Sequence, residues 1–181
     1  IDGSLMRHSG RPSSMAIFSA RDISASTVPV PAARIWAQIC DPASLTALTP
    51  LVRSIVVEGD LWRWQLAGIE ALGISVAPTF TERMEFIEPR LIRFNHEAAD
   101  GEHERAGADG TYELTDHGEE TELKVDIALS VELPLPRLSA IAVERVMRAS
   151  MQRTGKRFAV NLYHRLGLDP ATIDIRQVSD R

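Results

Sequence analysis

At 181 residues and 44% hydrophobic composition the chain can fill one substantial core, and its formal charge of −5 comes from 25 acids and 20 bases mixed along the sequence. That mixture disfavours a surface built on phosphate contacts, so nucleic acid is not an expected partner. No run approaches the roughly 18 uninterrupted apolar residues of a membrane span, and no charged-then-apolar leader opens the chain.

The only cysteine, Cys40, can form neither an internal disulfide nor a multi-thiol zinc site, and it reads as a small buried apolar residue. The expectation is therefore a protein of the cytoplasm, monomer or homodimer, with no metal and no cofactor. Residues 1–15, IDGSLMRHSGRPSSM, are Gly/Ser/Pro-rich and read as a disordered leader, with Met6 and Met15 as candidate native starts. No internal repeat or linker-like break divides the rest, so 16–169 is expected to be one domain and 170–181 a tail.

In chain order, Phe18 to Val30 alternates loosely and suits a first strand of edge type, ending at the prolines 29 and 31. Pro31 then stands where a first helical turn tolerates proline, and Ile35, Trp36 and Ile39 fall at helical spacing. Asp41 caps a second short helix through Leu45 and Leu48, which Pro50 ends. Beyond Leu51 the period becomes alternating: LVRSIVVEGDLWRWQL is a hairpin turning at Glu58-Gly59-Asp60.

The stretch GISVAPTFTERMEFIEP reads as one strand with Ile74, Val76, Phe80, Met84 and Phe86 inward, and LIRFNHEA as the next, carrying Ile92 and Phe94. A long polar loop, ADGEHERAGADG, precedes a strand at GTYELT, and TELKVDIALSVEL alternates to the end with Leu123, Val125, Ile127, Leu129 and Val131 inward. From about Arg137 to Leu166 there is no proline and one glycine, Gly155, which predicts a single long helix. Its apolar residues suggest two faces, Leu138, Ala142, Val146 and Ala149 first, then Met151, Phe158, Leu162 and Leu166. That switch predicts a kink or a change of packing partner near 150–155.

The order of one strand, two short helices, six antiparallel strands and a terminal helix resembles the START-like helix-grip superfamily, also called SRPBCC. The resemblance covers nearly the whole chain from about residue 17. Its local echoes are VPVPAARIWAQICDPASLTALTP and the LPLP segment before the helix. PTFTERMEFIEPRLIRF together with VELPLPRLSAIAVERVM is similar to a bacterial and plant branch of that superfamily with no assigned reaction. The resemblance implies an α+β fold in which a seven-stranded curved sheet wraps the long helix and leaves a cavity for a lipid, polyketide or similar apolar molecule. It implies no universal catalytic motif.

Alternation places Glu82 beside Phe80 and Met84, and His96 beside Ile92 and Phe94, so two titratable groups face the expected cavity. An acid in apolar surroundings has a raised pKa and can serve as general acid or base, with His96 as partner and Tyr112 supplying a hydroxyl. The plainer reading puts Glu82 at a bulge caused by Pro78 and His96 at the rim. Trp62 and Trp64 share a strand face and either line the cavity or fill core, with Arg63 and Gln65 outward. Together with Phe80, Met84, Phe94, Tyr112, Leu138, Ala142 and Val146 they are the candidate ligand contacts.

Asp100-Gly101-Glu102-His103-Glu104 gathers carboxylates around an imidazole but lacks calcium-loop or zinc spacing, and reads as solvated. The histidines at 8, 96, 103, 117 and 164 are scattered, and no nucleophile elbow, phosphate-binding glycine loop or dinucleotide fingerprint is present. Arg145, Arg148, Arg153, Lys156 and Arg157 crowd the long helix, either as its solvated face or as a peripheral contact for anionic membranes.

Three functions compete. The leading one is a carrier or sensor enclosing a small apolar ligand, with loops near 68–73 and 99–110 and the start of the long helix as gate. The others are a polyketide cyclase or dehydratase using Glu82, His96 or Tyr112, and an interaction module whose cavity is filled.

Overall fold

The structure, a computed structural model, describes residues 15–71 and 73–179. All but Met15 of the expected leader, and residue 72 of the expected gate, lie outside the described residues.

Strand β1 (Ala16–Val28) leads into helices α1 (Ala32–Ile39) and α2 (Pro42–Leu48). Then come β2 (Val52–Glu58), β3 (Leu61–Leu66), β4 (Ile69–Ala71), β5 (Ile74–Val76), β6 (Thr79–Ile87), β7 (Leu91–His96), β8 (Ala106–Asp116) and β9 (Thr121–Leu133). The long helix α3 (Ala140–Leu166) follows a single 3-10 turn at Arg137–Ser139, and β10 (Arg176–Gln177) comes last. The main sheet is antiparallel, in the order β10-β1-β9-β8-β7-β6-β3-β2, and it curves around α3 as a helix-grip fold.

The sheet has eight strands where seven were expected. The extra one is β10, inside the segment read as a tail, which folds back so that Ser24 and Ala25 of β1 pair with Gln177 and Arg176. The stretch 74–87 is also two strands: β5 leaves the main sheet to pair with β4, because Ala77 and Pro78 interrupt the ladder before β6.

Local chemistry explains the joints. Gly59, at φ +65°, makes the two-residue β2–β3 turn that the Glu58-Gly59-Asp60 signature predicts. The Asp41 side chain accepts a hydrogen bond from Ser44 N at 2.7 Å and so caps α2. Gly167, at φ +72°, takes the left-handed position that closes α3. The two short helices are locked to α3 by side chains reaching backbone: Asn161 Nδ2 donates to Leu48 O at 2.9 Å, and Arg34 Nη2 to Leu166 O at 2.8 Å. Beneath them Ile35, Ile39, Leu45 and Leu48 are at most 1% exposed. Each such side chain contributes about 1.5–3 kcal/mol of apolar burial.

Helix α3 runs unbroken through Gly155, and its inward face does not switch. Val143, Met147, Ser150, Thr154, Phe158 and Leu162 follow one another at steps of three and four and all face the same space. The expected two faces arose because Ser150, Thr154 and Gly155 hide the apolar stripe, while Leu138, Ala142 and Ala149 look like part of it yet are exposed, Leu138 at 96%. What does change is the packing partner. Val143 packs with Ala16 and Phe18, whereas Leu162, Tyr163 and Leu166 join the main core.

Because a Cβ on Gly155 would meet nothing within 4 Å, Gly155→Ala removes only backbone entropy from the unfolded chain. It is expected to stabilise the protein by about 0.5–1 kcal/mol in urea unfolding. A loss of stability would mean that the helix needs a glycine there.

Candidate functional site: a cavity between sheet and helix

Between the sheet and α3 lies a cavity of about 310 Å³. Phe80, Met84, Phe94, Val125 and Ile127 form its sheet wall, and Val146, Met147, Met151 and Phe158 its helix wall. Strand β9 shows how the cavity displaces ordinary core. Its inward residues Val125, Ile127, Leu129 and Val131 are only partly covered although they face the interior. Tyr112 bridges the two walls, its ring centroid 5.8 Å from that of Phe94 and 6.3 Å from that of Phe158. Tyr112 lines the cavity, and burial first, then the Glu82 charge, push its phenol well above the ordinary range.

Of the residues singled out by sequence, Trp64, Phe80, Met84, Phe94, Tyr112 and Val146 line this space. Trp62 shares the face of Trp64, with ring centroids 6.4 Å apart, but is spent on core, packing on Phe86 at 5.6 Å. Trp36 meets Phe86 edge-on at 6.3 Å, so the first helix is fastened to the sheet through this aromatic group. Arg63 and Gln65 are exposed as expected. Leu138 and Ala142 lie outside the cavity: Leu138 precedes α3 in the 3-10 turn, and Ala142 is on the solvent side of the helix.

Glu82 does turn inward. It is 3% exposed and lines the cavity, and burial above all, with the Asp109 charge second, raises its pKa well above the usual carboxylate range. The Trp64 indole opposes that rise only weakly, since its Nε1 faces the carboxyl without a hydrogen bond of normal geometry.

His96 does not join Glu82, although the two are cross-strand partners. The β7–β8 ladder stops at Phe94↔Gly110. Past it the imidazole lies over Gly107, where an added Cβ would fall 2.6 Å from Nδ1, and its Nε2 meets Glu104 Oε2 at 2.9 Å. Strict alternation presumes an unbroken ladder, and here the ladder breaks.

Glu104 is the residue that sequence reasoning missed. The loop containing it reads as solvated, yet its side chain is 6% exposed. It accepts hydrogen bonds from Thr81 N and Thr81 Oγ1, both at 2.8 Å. Burial works to raise the Glu104 pKa, but these bonds and His96 outweigh it and hold the carboxyl below its ordinary range. Glu102 adds an ion pair to Arg63 at 3.7 Å, and His103 contacts Glu132 at 2.9 Å. The expected gate near 99–110 is thus pinned to the sheet, and its second half is strand β8, not loop.

A group whose folded pKa is lowered contributes stability above its unfolded pKa and loses it as pH falls through the folded value. Glu104→Ala is therefore expected to cost about 2–4 kcal/mol at neutral pH, with a smaller cost in acid. Urea unfolding across pH checks this, and a cost that is constant or grows toward acid would contradict it.

Among the described residues no group of three His, Cys, Asp or Glu side chains is placed to hold a metal, and no helix is long and apolar enough to cross a membrane. Arg145, Arg148, Arg153, Lys156 and Arg157 are all exposed on α3, away from the cavity. Cys40 is half-buried against the core, and burial followed by the Glu88 charge pushes its thiol up to about 12. A thiol so raised is a poor nucleophile at neutral pH.

A family model described as polyketide cyclase / dehydrase and lipid transport matches residues 20–161. Solved structures of similar fold include a conserved protein from Geobacillus kaustophilus, 16% identical, with TM-score 0.61 over 86% of this chain and 99% of that one. A START superfamily protein from Mycobacterium smegmatis is 16% identical, with TM-score 0.56 over 84% and 97%. The Zhui aromatase/cyclase from Streptomyces sp. R1128 is 18% identical, with TM-score 0.50 over 85% and 93%. A search of curated proteins gives no sequence match.

Proposed function

We propose that this chain, which belongs to the polyketide cyclase / dehydrase and lipid transport family, encloses a small, mainly apolar molecule between its sheet and α3 and acts as its carrier or sensor. The observation that carries this reading is the 310 Å³ space itself, walled by apolar side chains from both layers. A domain of this size normally fills its interior to crystal-like density, so a space this large stands against a merely filled interaction module. An empty space lined by such residues forfeits dispersion contacts that an apolar guest restores.

The second reading, a cyclase or dehydratase, is favoured by one observation, the inward Glu82, whose pKa burial raises above the usual carboxylate range. It is weakened by the position of His96, which is bonded to Glu104 and absent from the cavity wall. Among the described residues neither Glu82 nor Tyr112 has a hydrogen bond to a second titratable group that would cycle a proton.

Native mass spectrometry of the purified protein tests the carrier reading. The expected result is a population heavier than the bare chain by the mass of one small apolar molecule, released by organic solvent. Protein that is bare after gentle purification, and whose melting temperature no apolar compound raises, would contradict it.

A further inference from the structure

Serine and threonine hydroxyls at 24, 26, 49, 130, 150 and 154 line the cavity, but its ionisable groups are few. Among the described residues its ionisable members are Asp22, Glu82, Tyr112 and Tyr163, and no lysine, arginine or histidine lines it. Asp22 is occupied by Gln152 Nε2 at 3.3 Å, and the Tyr163 hydroxyl donates to Thr27 O at 3.2 Å. Glu82 and Trp64 face each other. Trp64 Nε1 is buried with no hydrogen bond among the described residues. Glu82 meets that indole without a hydrogen bond of normal geometry, and among the described residues the Tyr112 hydroxyl makes no hydrogen bond.

We propose that the ligand is an uncharged apolar molecule bearing an accepting oxygen, a carbonyl or a hydroxyl, and that Glu82, Trp64 and Tyr112 are the anchor receiving it. The inference rests on the reading of the cavity as a ligand site.

The chemistry excludes the alternatives one by one. A carboxylate or phosphate would enter an apolar space that offers no cation and already contains a buried acid, and an unpaired buried anion is among the costliest groups a protein can hold. A pure hydrocarbon would leave the indole N–H with no acceptor but a Glu82 carboxyl that it meets in poor geometry. An ammonium would meet the indole N–H, which only donates, and could be neutralised only by ionising Glu82 inside an apolar space. Burial first, and the Asp109 charge second, raise the Glu82 pKa and so favour its neutral form. An oxygen acceptor satisfies the set.

Isothermal titration of the full chain at neutral pH with four naphthalenes of one shape tests this: 2-acetylnaphthalene, 2-ethylnaphthalene, 2-naphthoate and 2-naphthylmethylammonium. The ketone is expected to bind about ten-fold tighter than the hydrocarbon and at least about ten-fold tighter than the carboxylate. In Glu82→Leu, checked for fold by circular dichroism, the advantage of the ketone over the hydrocarbon is expected to shrink while hydrocarbon affinity persists. In Glu82→Gln, which still donates, most of the advantage is expected to remain. A carboxylate or ammonium that binds as tightly as the ketone overturns the proposal, as does a ketone no better than the hydrocarbon. The ligand-site reading survives those outcomes. It falls, and this inference with it, if none of the four binds.

Discussion

Replacing Gly110 by alanine is expected to destabilise the protein by about 3 kcal/mol or more, a fall in melting temperature of roughly 6–12 °C. A Cβ at this position would be driven into the carbonyl oxygen of Asp126 and would come within 2.6 Å of Phe94 Cζ. Gly110 pairs with Ile127 across β8–β9 and with Phe94 across β7–β8, so both ladders would have to part to make room. A flexible side chain yields cheaply to such an intrusion, but a backbone oxygen held in the middle of an eleven-residue ladder does not. Gly107→Ala is the informative comparison. There the obstruction is the His96 ring, which can rotate at the expense of its bond to Glu104, so a smaller loss of about 1–2 kcal/mol is expected. Thermal melts of the two variants side by side check the ranking. A Gly110→Ala protein melting within about 2 °C of the parent would show that β8 and β9 are not apposed as described.

The second large effect concerns binding. Ala108 is 5% exposed, points into the cavity from β8, and is one of the few small side chains in the sheet wall. Ala108→Phe places a ring in the empty space without disturbing a hydrogen-bonded group. Affinity for the neutral fluorophore N-phenyl-1-naphthylamine is expected to fall by about 100-fold, equivalent to about 2.8 kcal/mol. Stability should hold or rise, because the new ring regains contacts the void forgoes. Saturation titrations with circular dichroism as a fold control measure both. Unchanged affinity in a folded Ala108→Phe protein would place the ligand elsewhere.

The fold was largely legible in the sequence because its signals are local. The capping aspartate at 41, the glycine turn at 59 and the alternation from Leu123 to Val131 each specify one element without knowledge of the others. The same alternation placed Glu82 inside, where the ladder runs unbroken from β3 through β6 to β7. It failed for His96, two residues beyond the last β7–β8 pair, and no local pattern announces where a ladder stops.

Strand β8 is longer than its sequence suggests, because AGADG resembles a loop. Its glycines are there to admit the rings of His96 and Phe94, a packing demand made by another strand. Glu104 escaped for a similar reason: a carboxylate among polar neighbours looks solvated until the loop closes on Thr81. On α3, the polar Ser150 and Thr154 interrupt the stripe that faces the cavity, while Leu138 and Ala142 extend an apolar pattern that faces solvent. A helix that lines a cavity need not bury its most hydrophobic stripe.

The claim at the centre of this account is that a small molecule sits between the sheet and α3. Methyl-labelled NMR of the protein saturated with N-phenyl-1-naphthylamine tests it most directly. The expected result is a set of intermolecular Overhauser contacts from the ligand to the methyl groups of Val125, Ile127, Val146 and Met147, drawn from both walls. Contacts confined to the exposed methyls of Leu138, Ile141 or Val56 would place the ligand on the surface and contradict it.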